Sequence, residues 1–305
     1  MRRFLKITAF LISLVLAVLF LQNMILIPWD AQDVQVSGFY AEPEQTLDVV
    51  FIGASDMYTA FSPCGAYGDY GFTSYLYCVP RNSVAFWRPQ VEEVLQFQTP
   101  KLIVIEINGA LYTDEENICT DENLHLFTDH IPSPAGRDRF IRNVSPEVNR
   151  AEYFFPYIKY HGNLSSLLKA VRIFSDRLSF IKRGGLLMHG ERSHFGHMKT
   201  DEEEPDLKNA TDTTPLSPLY EETLRSFLSW AETEVSCPIL FLRTPHFITE
   251  KLELQQEFFR RTNRVEEVVG EYGFPMLQCD RYHEEIGLEA KEDYFDYEHL
   301  NMSGQ

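Results

Sequence analysis

The sequence is poor in basic residues, because 27 Lys and Arg stand against 45 Asp and Glu and give a formal net charge of −18 at pH 7. Three of the basic residues, Arg2, Arg3 and Lys6, lie at the very start, so the remainder is more acidic still. A surface of this charge repels phosphate groups. It argues against nucleic acid, and against anionic lipid, as partners of the body of the protein.

Metal-binding patterns are also missing. The five cysteines contain no Cys-x-x-Cys pair and no spacing typical of a zinc site. If the chain is exported, Cys64 and Cys78 could form a disulfide, although core or loop thiols are the simpler interpretation. His189, His194 and His197 lie in a glycine-containing stretch that predicts exposed loop histidines rather than zinc ligands. We therefore predict no metal and no cofactor.

Charged residues are absent from one long stretch, Ile7 to Trp29. A helix of this length crosses the hydrocarbon core of a bilayer, which is about 30 Å thick. Basic residues precede the stretch and none follows closely, which predicts a cytoplasmic N-terminus and an extracytoplasmic body. No small-x-small pattern and no lipoprotein cysteine follows it, so a single-pass anchor in the cell membrane is favoured over a cleaved signal peptide. The lipid bilayer would then be a partner through residues 7–29.

After this basic tip and anchor, residues 1–29, the sequence predicts one α/β domain. Residues 30–46 are polar and predict a linker, and residues 47–305 predict the domain. Short apolar runs alternate with amphipathic stretches, which is typical of a parallel sheet with right-handed crossovers. The patterns predict strands at 48–53, 74–79, 102–107, 239–242 and 275–278, and helices at 88–98, 218–235 and 252–272. The segment 114–215 breaks the alternation and is too long for one loop, so it predicts an inserted, mainly helical and loop subdomain or lid.

Two short motifs at opposite ends of the domain contain candidate catalytic residues. Asp48-Val-Val-Phe-Ile-Gly-Ala-Ser-Asp56 predicts a buried strand whose closing turn exposes the Ser55 hydroxyl at the carboxyl edge of the sheet. Asp293-Tyr-Phe-Asp-Tyr-Glu-His-Leu-Asn301 places Asp296 three residues before His299, so one turn can present both. Ser55 as nucleophile, His299 as base and Asp296 as the orienting carboxylate would form a triad. Asp293 is the alternative carboxylate, and a helix cap is the alternative role of Ser55.

Other polar residues follow or end predicted strands. Asn108 and His246 are expected at the same edge of the sheet as Ser55, because the carboxyl ends of parallel strands meet there. His246 would be a substrate contact or would only shape a turn. Glu106, if buried in its strand, must be hydrogen-bonded or protonated.

Gly53-Ala-Ser-Asp56 and Asp296-Tyr-Glu-His299-Leu-Asn301 resemble the first and last motif blocks of the SGNH/GDSL hydrolase superfamily. Across residues 46–112 and 216–304 the pattern is similar to membrane-anchored bacterial SGNH-like proteins, including DltD-like and alginate-acetylation-like proteins. The resemblance implies a three-layer, flavodoxin-like parallel sheet. It also implies an oxyanion hole formed by the backbone N–H of Ser55, a glycine after the second strand and an asparagine after the third. Asn108 matches the asparagine, but Val79-Pro-Arg81 provides no glycine, so Arg81 or a nearby amide is the expected substitute.

Taken together, these features predict a membrane-anchored extracytoplasmic serine esterase or O-acetyltransferase acting on acyl esters of a cell-surface polysaccharide. A membrane-bound O-acyltransferase is the protein partner that the resemblance implies. The missing glycine favours the alternative, a non-catalytic accessory protein that binds a glycan or the acyltransferase. In the resembling family a terminal helix follows the last motif, and without it we expect the loop of Asp296 and His299 to be mobile.

Overall fold

A computed structural model describes residues 2–27, 31–145, 148, 150–182 and 191–305. Its centre is a sheet of five parallel strands in the order β2-β1-β3-β4-β5, with β1 Val49–Gly53, β2 Ser74–Cys78, β3 Leu102–Glu106, β4 Ile239–Arg243 and β5 Met276–Gln278. The predicted α/β class with a parallel sheet is therefore confirmed. Each strand lies within one residue of its predicted bounds, because buried apolar runs bounded by turn residues are a strong signal.

The helices connect and flank these strands. They are α1 Arg2–Leu21, α2 Ala31–Phe39, α3 Ser55–Ala60, α4 Pro63–Tyr70, α5 Trp87–Phe97, α6 Asp121–Thr128, α7 Pro134–Val144, α8 Ala151–Phe154, α9 Pro156–Tyr160, α10 Leu167–Lys182, α11 Pro218–Glu234, α12 Glu253–Glu271, α13 His283–Ile286 and α14 Ala290–Asp293. A π-helical turn, Gln22–Leu26, continues α1. The three predicted helices correspond to α5, α11 and α12, each within one residue at its ends.

The two faces of the sheet bury different sets of side chains, as the period of two along a strand requires. On the larger face, Ile52 and Ile105 pack with Trp87 of α5 and with α11 and α12. Ile52, Ile105 and Trp87 are fully buried. On the smaller face, Phe51 and Val104 pack with Met57 of α3. Helices therefore lie on both sides of the sheet.

The structure differs from the sequence-based expectation in two connecting segments. Residues 30–46 were expected to be a polar linker, but α2 lies there and its Val36 and Phe39 are buried in the main core. Within the predicted insertion, Phe127 of α6 and Phe140 of α7 belong to the same core. Part of the insertion is thus integral to the domain. The rings of Phe86, Phe127 and Phe140 pack against one another with centroids 5.2 to 6.3 Å apart.

The apolar N-terminal helix projects from this domain. The most apolar 18-residue window of the segment Arg2–Leu26 has a mean hydropathy of 2.6, and none of that window is buried. It is long and apolar enough to cross a membrane, which fits either an anchor or a signal sequence. Residues 28 and 29 of the predicted anchor lie outside the described residues.

Candidate active site

Ser55 lies at the carboxyl edge of the sheet, at the first position of α3. β1 ends at Gly53, where a Cβ atom would lie 2.6 Å from the Cβ of Glu106 on the neighbouring strand. Only glycine permits this close approach of β1 to β3. The chain can then turn directly from strand to helix, and it leaves Ser55 half-buried beside the ends of β2 and β3.

Asp296 and His299 lie together in one turn of chain, as their spacing predicts. The His299 Nδ1 atom is 2.9 Å from Oδ1 and 3.1 Å from Oδ2 of Asp296. The backbone N–H groups of Glu298 and His299 also donate to Asp296 Oδ1, each at 2.9 Å. These bonds fix the carboxylate, and a carboxylate at Nδ1 leaves Nε2 as the nitrogen directed at the rest of the site.

A carboxylate that the sequence did not single out lies between the serine and the histidine. Ser55 Oγ donates to Asp56 Oδ1 at 3.3 Å, and His299 Nε2 lies 3.4 Å from the same oxygen. Among the described residues, no hydrogen bond joins Ser55 directly to His299. Burial alone would lower the pKa of His299, but the bond to Asp296 and the charge of Asp56 outweigh it and raise that pKa.

Beneath Asp56 lies a second layer of buried charge. Asp56 Oδ2 is 3.3 Å from His246 Nε2, and Asp280 Oδ1 is 3.5 Å from His246 Nδ1 and accepts the His246 backbone N–H at 2.8 Å. All three residues are at least 96 per cent buried. Burial opposes charge on each of these groups, but their hydrogen bonds and opposite charges outweigh it. The pKa of His246 rises to about 9, that of Asp280 falls to about 2, and that of Asp56 is lowered. Asp56 is therefore an ionised carboxylate whose Oδ2 is already occupied.

Arg243, at the end of β4, connects this layer to Asn108. Its Nε donates to Asp280 Oδ2 at 3.2 Å and its Nη1 donates to Asn108 Oδ1. An arginine has no acceptor, so the atom of Asn108 that faces it must be the amide oxygen. The donor Nδ2 is thereby directed away from Arg243. Asn108 is partly exposed, so its NH₂ group is available at the surface of the site.

Glu106, the last residue of β3, is fully buried, and both of its oxygens accept backbone N–H bonds. The donors are Ala54 at 3.2 Å and Asn108 at 2.6 Å. Burial and the nearby charge of Asp56 raise the pKa of Glu106 to about 7. Glu106 therefore holds the turns that bear Ser55 and Asn108 at a fixed spacing.

The loop after β2 takes the conformation that a glycine would supply. Arg81 has φ 53°, in the left-handed region that side chains other than glycine rarely adopt. The neighbouring Asn82 lies so close to Gly109 that a Cβ at Gly109 would be 2.2 Å from the Asn82 carbonyl oxygen. The loops after β2 and β3 are thus in contact, as an oxyanion site shared between them requires.

The predicted mobile loop is fastened to the domain by several hydrogen bonds. Asn301 is 95 per cent buried and donates from Nδ2 to the carbonyl oxygens of Gly196 and Glu292. Gln305 Nε2 is within 3.5 Å of the carbonyl oxygens of Tyr58, Phe61 and Arg192. These contacts tie the last motif to residues near Ser55.

One of the loop histidines lies at the site. The ring of His194 stacks on Phe295 with a centroid distance of 4.3 Å, and it lies 5.5 Å from the ring of His299. Burial and the neighbouring His299 lower the pKa of His194. His197 is exposed, and His189 lies outside the described residues. The loop of residues 191–200 thus covers one side of His299.

The cysteines are all free thiols in this structure, including the possible pair, of which Cys64 is exposed and Cys78 is buried in β2. The described residues contain no group of three or more side chains that could hold a metal ion.

A cavity of about 500 Å³ lies between the loops after β2 and β3 and the helices α11 and α12. Its walls include Arg81, Tyr112, Asn123, Tyr220, Phe258 and Arg261. Burial, together with the charges of Asp56 and Glu106, raises the pKa of Tyr112 well above its usual range. The cavity combines aromatic faces with hydrogen-bonding groups.

Comparisons with known proteins identify no family for the chain. A scan against family models gives no match, and a search of curated proteins gives none. Among solved structures, an acetyl-xylooligosaccharide esterase, Axe2, from Geobacillus matches with a TM-score of 0.39 and 11% identity, over 86% of this chain and 90% of that one. Two further Axe2 acetylxylan esterase structures from Geobacillus stearothermophilus match with TM-scores of 0.38 and 0.37, at 11% and 13% identity, over the same shares. At these values the likeness establishes no shared activity, and the fold class rests on the observed sheet.

Proposed function

We propose that this protein is an SGNH-type serine esterase or O-acetyltransferase, anchored in the cell membrane with its body outside, that acts on acyl esters of a cell-surface polysaccharide. The observation that carries the proposal is the contact of His299 Nδ1 with both carboxylate oxygens of Asp296, at the edge of the sheet where Ser55 begins α3. A serine, a histidine oriented by a carboxylate, and partly exposed amide donors are the parts that acyl transfer needs.

In the proposed reaction, Ser55 Oγ attacks the ester carbonyl while its proton passes to His299 Nε2. The carbon–oxygen bond to the sugar breaks as His299 returns that proton to the leaving alkoxide, and an acyl-serine remains. A water molecule or a second hydroxyl then attacks the acyl-serine and gives its proton to His299. His299 passes this proton to Ser55 Oγ as the bond between that oxygen and the acyl carbon breaks, and the free acid or the acylated acceptor leaves. Asp296 holds the imidazole and stabilises its charged form.

Negative charge develops on the carbonyl oxygen in each half of this reaction. The backbone N–H of Ser55, at the first turn of α3, has no partner within the helix and is the first donor. Asn108 Nδ2, turned outward by Arg243, is the second donor. The loop at Arg81 takes the place of the missing glycine.

The cavity beside Tyr112 is the proposed site of the sugar. Aromatic rings such as Tyr220 and Phe258 can cover the apolar faces of a sugar, while Asn123 and the arginines bond its hydroxyl groups. Whether water or a hydroxyl accepts the acyl group depends on what occupies this cavity.

Two measurements on the full-length chain in detergent test the proposal. A fluorophosphonate probe should label Ser55, and p-nitrophenyl acetate should be hydrolysed. Ser55→Ala and His299→Ala should each lower turnover by about 10³-fold or more, with Asp296→Asn nearly as damaging. Ser229→Ala, at an exposed serine of α11, is the control and should leave turnover unchanged. Full activity of Ser55→Ala would remove the proposed nucleophile.

The accessory role remains the second candidate, because Asp56 lies between Ser55 and His299. In that case neither probe labelling nor hydrolysis should occur, and the folded chain should still bind an acylated glycan or co-purify with a membrane O-acyltransferase. Adding a soluble oligosaccharide to the esterase assay separates the two catalytic outcomes, since a transferase gives acylated sugar in place of free acid.

A further inference from the structure

An apolar surface lies outside the proposed site, on α9, α10 and the turn between them. Its exposed side chains are those of Phe155, Tyr157, Ile158, Leu164, Leu168 and Val171, which we call the apolar patch. Leu168 is 83% exposed and Phe155 is 58% exposed. A cluster of large apolar side chains left in water is costly and typically marks a surface that is covered by something else.

The apolar patch adjoins the end of the N-terminal apolar helix. The ring of Phe174 in α10 is 6.2 Å from that of Phe20 in α1. Asn163 Nδ2 donates to the Leu26 carbonyl oxygen at 2.7 Å, and Arg177 Nη2 donates to that of Ile27 at 3.5 Å. The patch and the apolar helix are therefore parts of one packed unit.

The length of the apolar helix fixes the depth of this contact. Lys6 must lie at or near the cytoplasmic interface, so the hydrocarbon core begins near Ile7. At a rise of 1.5 Å per residue, a core of about 30 Å then ends near Leu26. Phe20 lies about 9 Å inside that boundary. The ring of Phe174 is 6.2 Å from that of Phe20, so it lies at least about 3 Å inside the boundary, in the outer part of the acyl region.

The positions of the exposed apolar residues around α10 place the apolar patch on the side of the helix that faces the membrane interface. Ala170 and Ile173 are buried, and α10 packs on the π-helical turn Gln22–Leu26 and on the turn His161–Ser165, while Leu168 and Val171 are exposed. At 100° per residue, Val171 lies about 60° around α10 from Phe174, and Leu168 lies a further 60° or so along. The exposed apolar stripe thus continues directly from the side that contacts α1.

The charge of this segment departs from that of the whole chain. Between residues 155 and 177 the basic residues are Lys159, Lys169, Arg172 and Arg177, and Asp176 is the one acidic residue. The chain as a whole carries −18. Lys169 and Arg172 are exposed beside the apolar stripe, an arrangement typical of helices that lie in a lipid interface with their basic groups on headgroup phosphates.

We propose that α9 and α10 rest on the outer leaflet of the bilayer, with the apolar patch in the headgroup and acyl boundary and with Lys169 and Arg172 on lipid phosphates. The proposal rests on the membrane anchor of the proposed function and adds a second contact to it. Two contacts fix the tilt and rotation of the domain, which one helix alone would leave free.

Tryptophan quenching by brominated lipid tests this. The full-length chain is placed in nanodiscs of phosphatidylcholine and phosphatidylglycerol, with or without bromine on the acyl chains, as Leu168→Trp and, for comparison, Ile286→Trp, at an exposed apolar residue of α13. Emission of the unsubstituted chain is subtracted to remove its native tryptophans. Brominated lipid should quench the indole introduced at position 168 and leave that at 286 unchanged.

Two further variants separate lipid contact from a structural effect. Val171→Glu, added to Leu168→Trp, should reduce the quenching without changing the thermal unfolding temperature, because Val171 is exposed. Replacing both Lys169 and Arg172 with Glu should reduce it most in discs rich in phosphatidylglycerol. Equal quenching at both positions, or none at 168 together with self-association of discs, would overturn the proposal and indicate a protein partner.

The mass of the purified chain keeps this test independent of the proposed function. If residues 1–29 are retained, the quenching result decides. If they have been removed, the anchor is wrong and the processed chain is floated with vesicles of the same lipids, where binding supports the patch and its absence overturns it. Esterase turnover, measured separately in detergent, bears on the active site alone.

Discussion

At the scale of single residues, Asp56 imposes the strongest constraint on the proposed chemistry. Its Oδ2 is held by His246, so Oδ1 is the oxygen on which Ser55 and His299 converge. A carboxylate at each nitrogen of His299 favours the imidazolium, which cannot accept the proton of Ser55. Asp56 therefore stabilises a resting state from which His299 must lose a proton before the reaction begins.

The pH dependence of turnover follows from this arrangement. A base must be neutral to act, so activity should rise with pH through the raised pKa of His299. Asp56→Asn removes one of the negative charges that raise this pKa, so the rising limb of log kcat/KM should move to lower pH. Asp69→Asn, at an exposed residue of α4, is the control. If the rising limb of log kcat/KM lies at the same pH in Asp56→Asn as in the unsubstituted chain, Asp56 does not act on His299.

Arg243 should act through the orientation of Asn108. Arg243→Lys keeps a positive charge but cannot bond both Asp280 and Asn108, so the amide loses its fixed direction. We expect kcat to fall by about 10²-fold, as for Asn108→Ala, with little change in KM. The double variant should fall no further, because both changes remove the same donor. Additive losses would contradict a shared role, and thermal unfolding of each variant controls for damage to the fold.

Sequence and structure agree best where a residue acts with its neighbours in the chain. Asp296 and His299 are three residues apart, and their contact follows from one turn. Arg243 and His246 come from the end of β4 and Asp280 from the end of β5, and only the order of the strands brings these two segments under Asp56. The available signal was their position just after β4 and β5, at the same edge as Ser55. This position indicated His246 as a candidate site residue, but it did not show that His246 pairs with Asp56 and Asp280.

At the scale of elements, strands and helices with clear periodicity were predictable and irregular connections were not. β3 is an unbroken apolar run, Leu102–Ile105, that ends on Glu106, whereas α2 has few apolar residues, of which Val36 and Phe39 are buried. Two buried side chains are too few to define a period. Tertiary packing against β2 decides the structure of α2, as the stacking of Phe39 on Tyr77 at 4.5 Å indicates.

Two glycines should respond to replacement by alanine in opposite directions, because Gly109 is buried in a close contact and Gly270 is exposed on a helix. Gly109→Ala would place a Cβ 2.2 Å from the Asn82 carbonyl oxygen, so the loops after β2 and β3 must separate. We expect a loss of roughly 1–3 kcal/mol in stability together with reduced turnover. Gly270→Ala, in α12 with no atom within 4 Å, should gain up to about 1 kcal/mol and leave turnover unchanged. Thermal unfolding in detergent measures both, and a tolerated Gly109→Ala would contradict the close contact.

At the scale of the whole molecule, charge and apolar surface are separated along the chain. The basic residues Arg2, Arg3 and Lys6 precede the apolar helix, and the domain that follows is strongly acidic. Within the described part of that domain, the segment 155–177 combines exposed apolar side chains with four basic residues and one acidic residue. This distribution fits a body that stands off the membrane everywhere except at α9 and α10.

The last prediction concerns the side of the membrane on which the domain lies. Protease added to intact spheroplasts should digest residues beyond 30 and leave α1 in the membrane pellet after an alkaline wash. Replacing Arg2, Arg3 and Lys6 with Gln removes the charges that hold the N-terminus in the cytoplasm, so the protease-protected fraction of the domain should rise. Complete protection of the unsubstituted domain would reverse the topology, and its release into the medium would identify α1 as a cleaved signal. Complete protection would also remove the outer leaflet as the surface on which α9 and α10 rest, because the domain would then lie in the wrong compartment, whereas after release the vesicle flotation of the processed chain decides that contact.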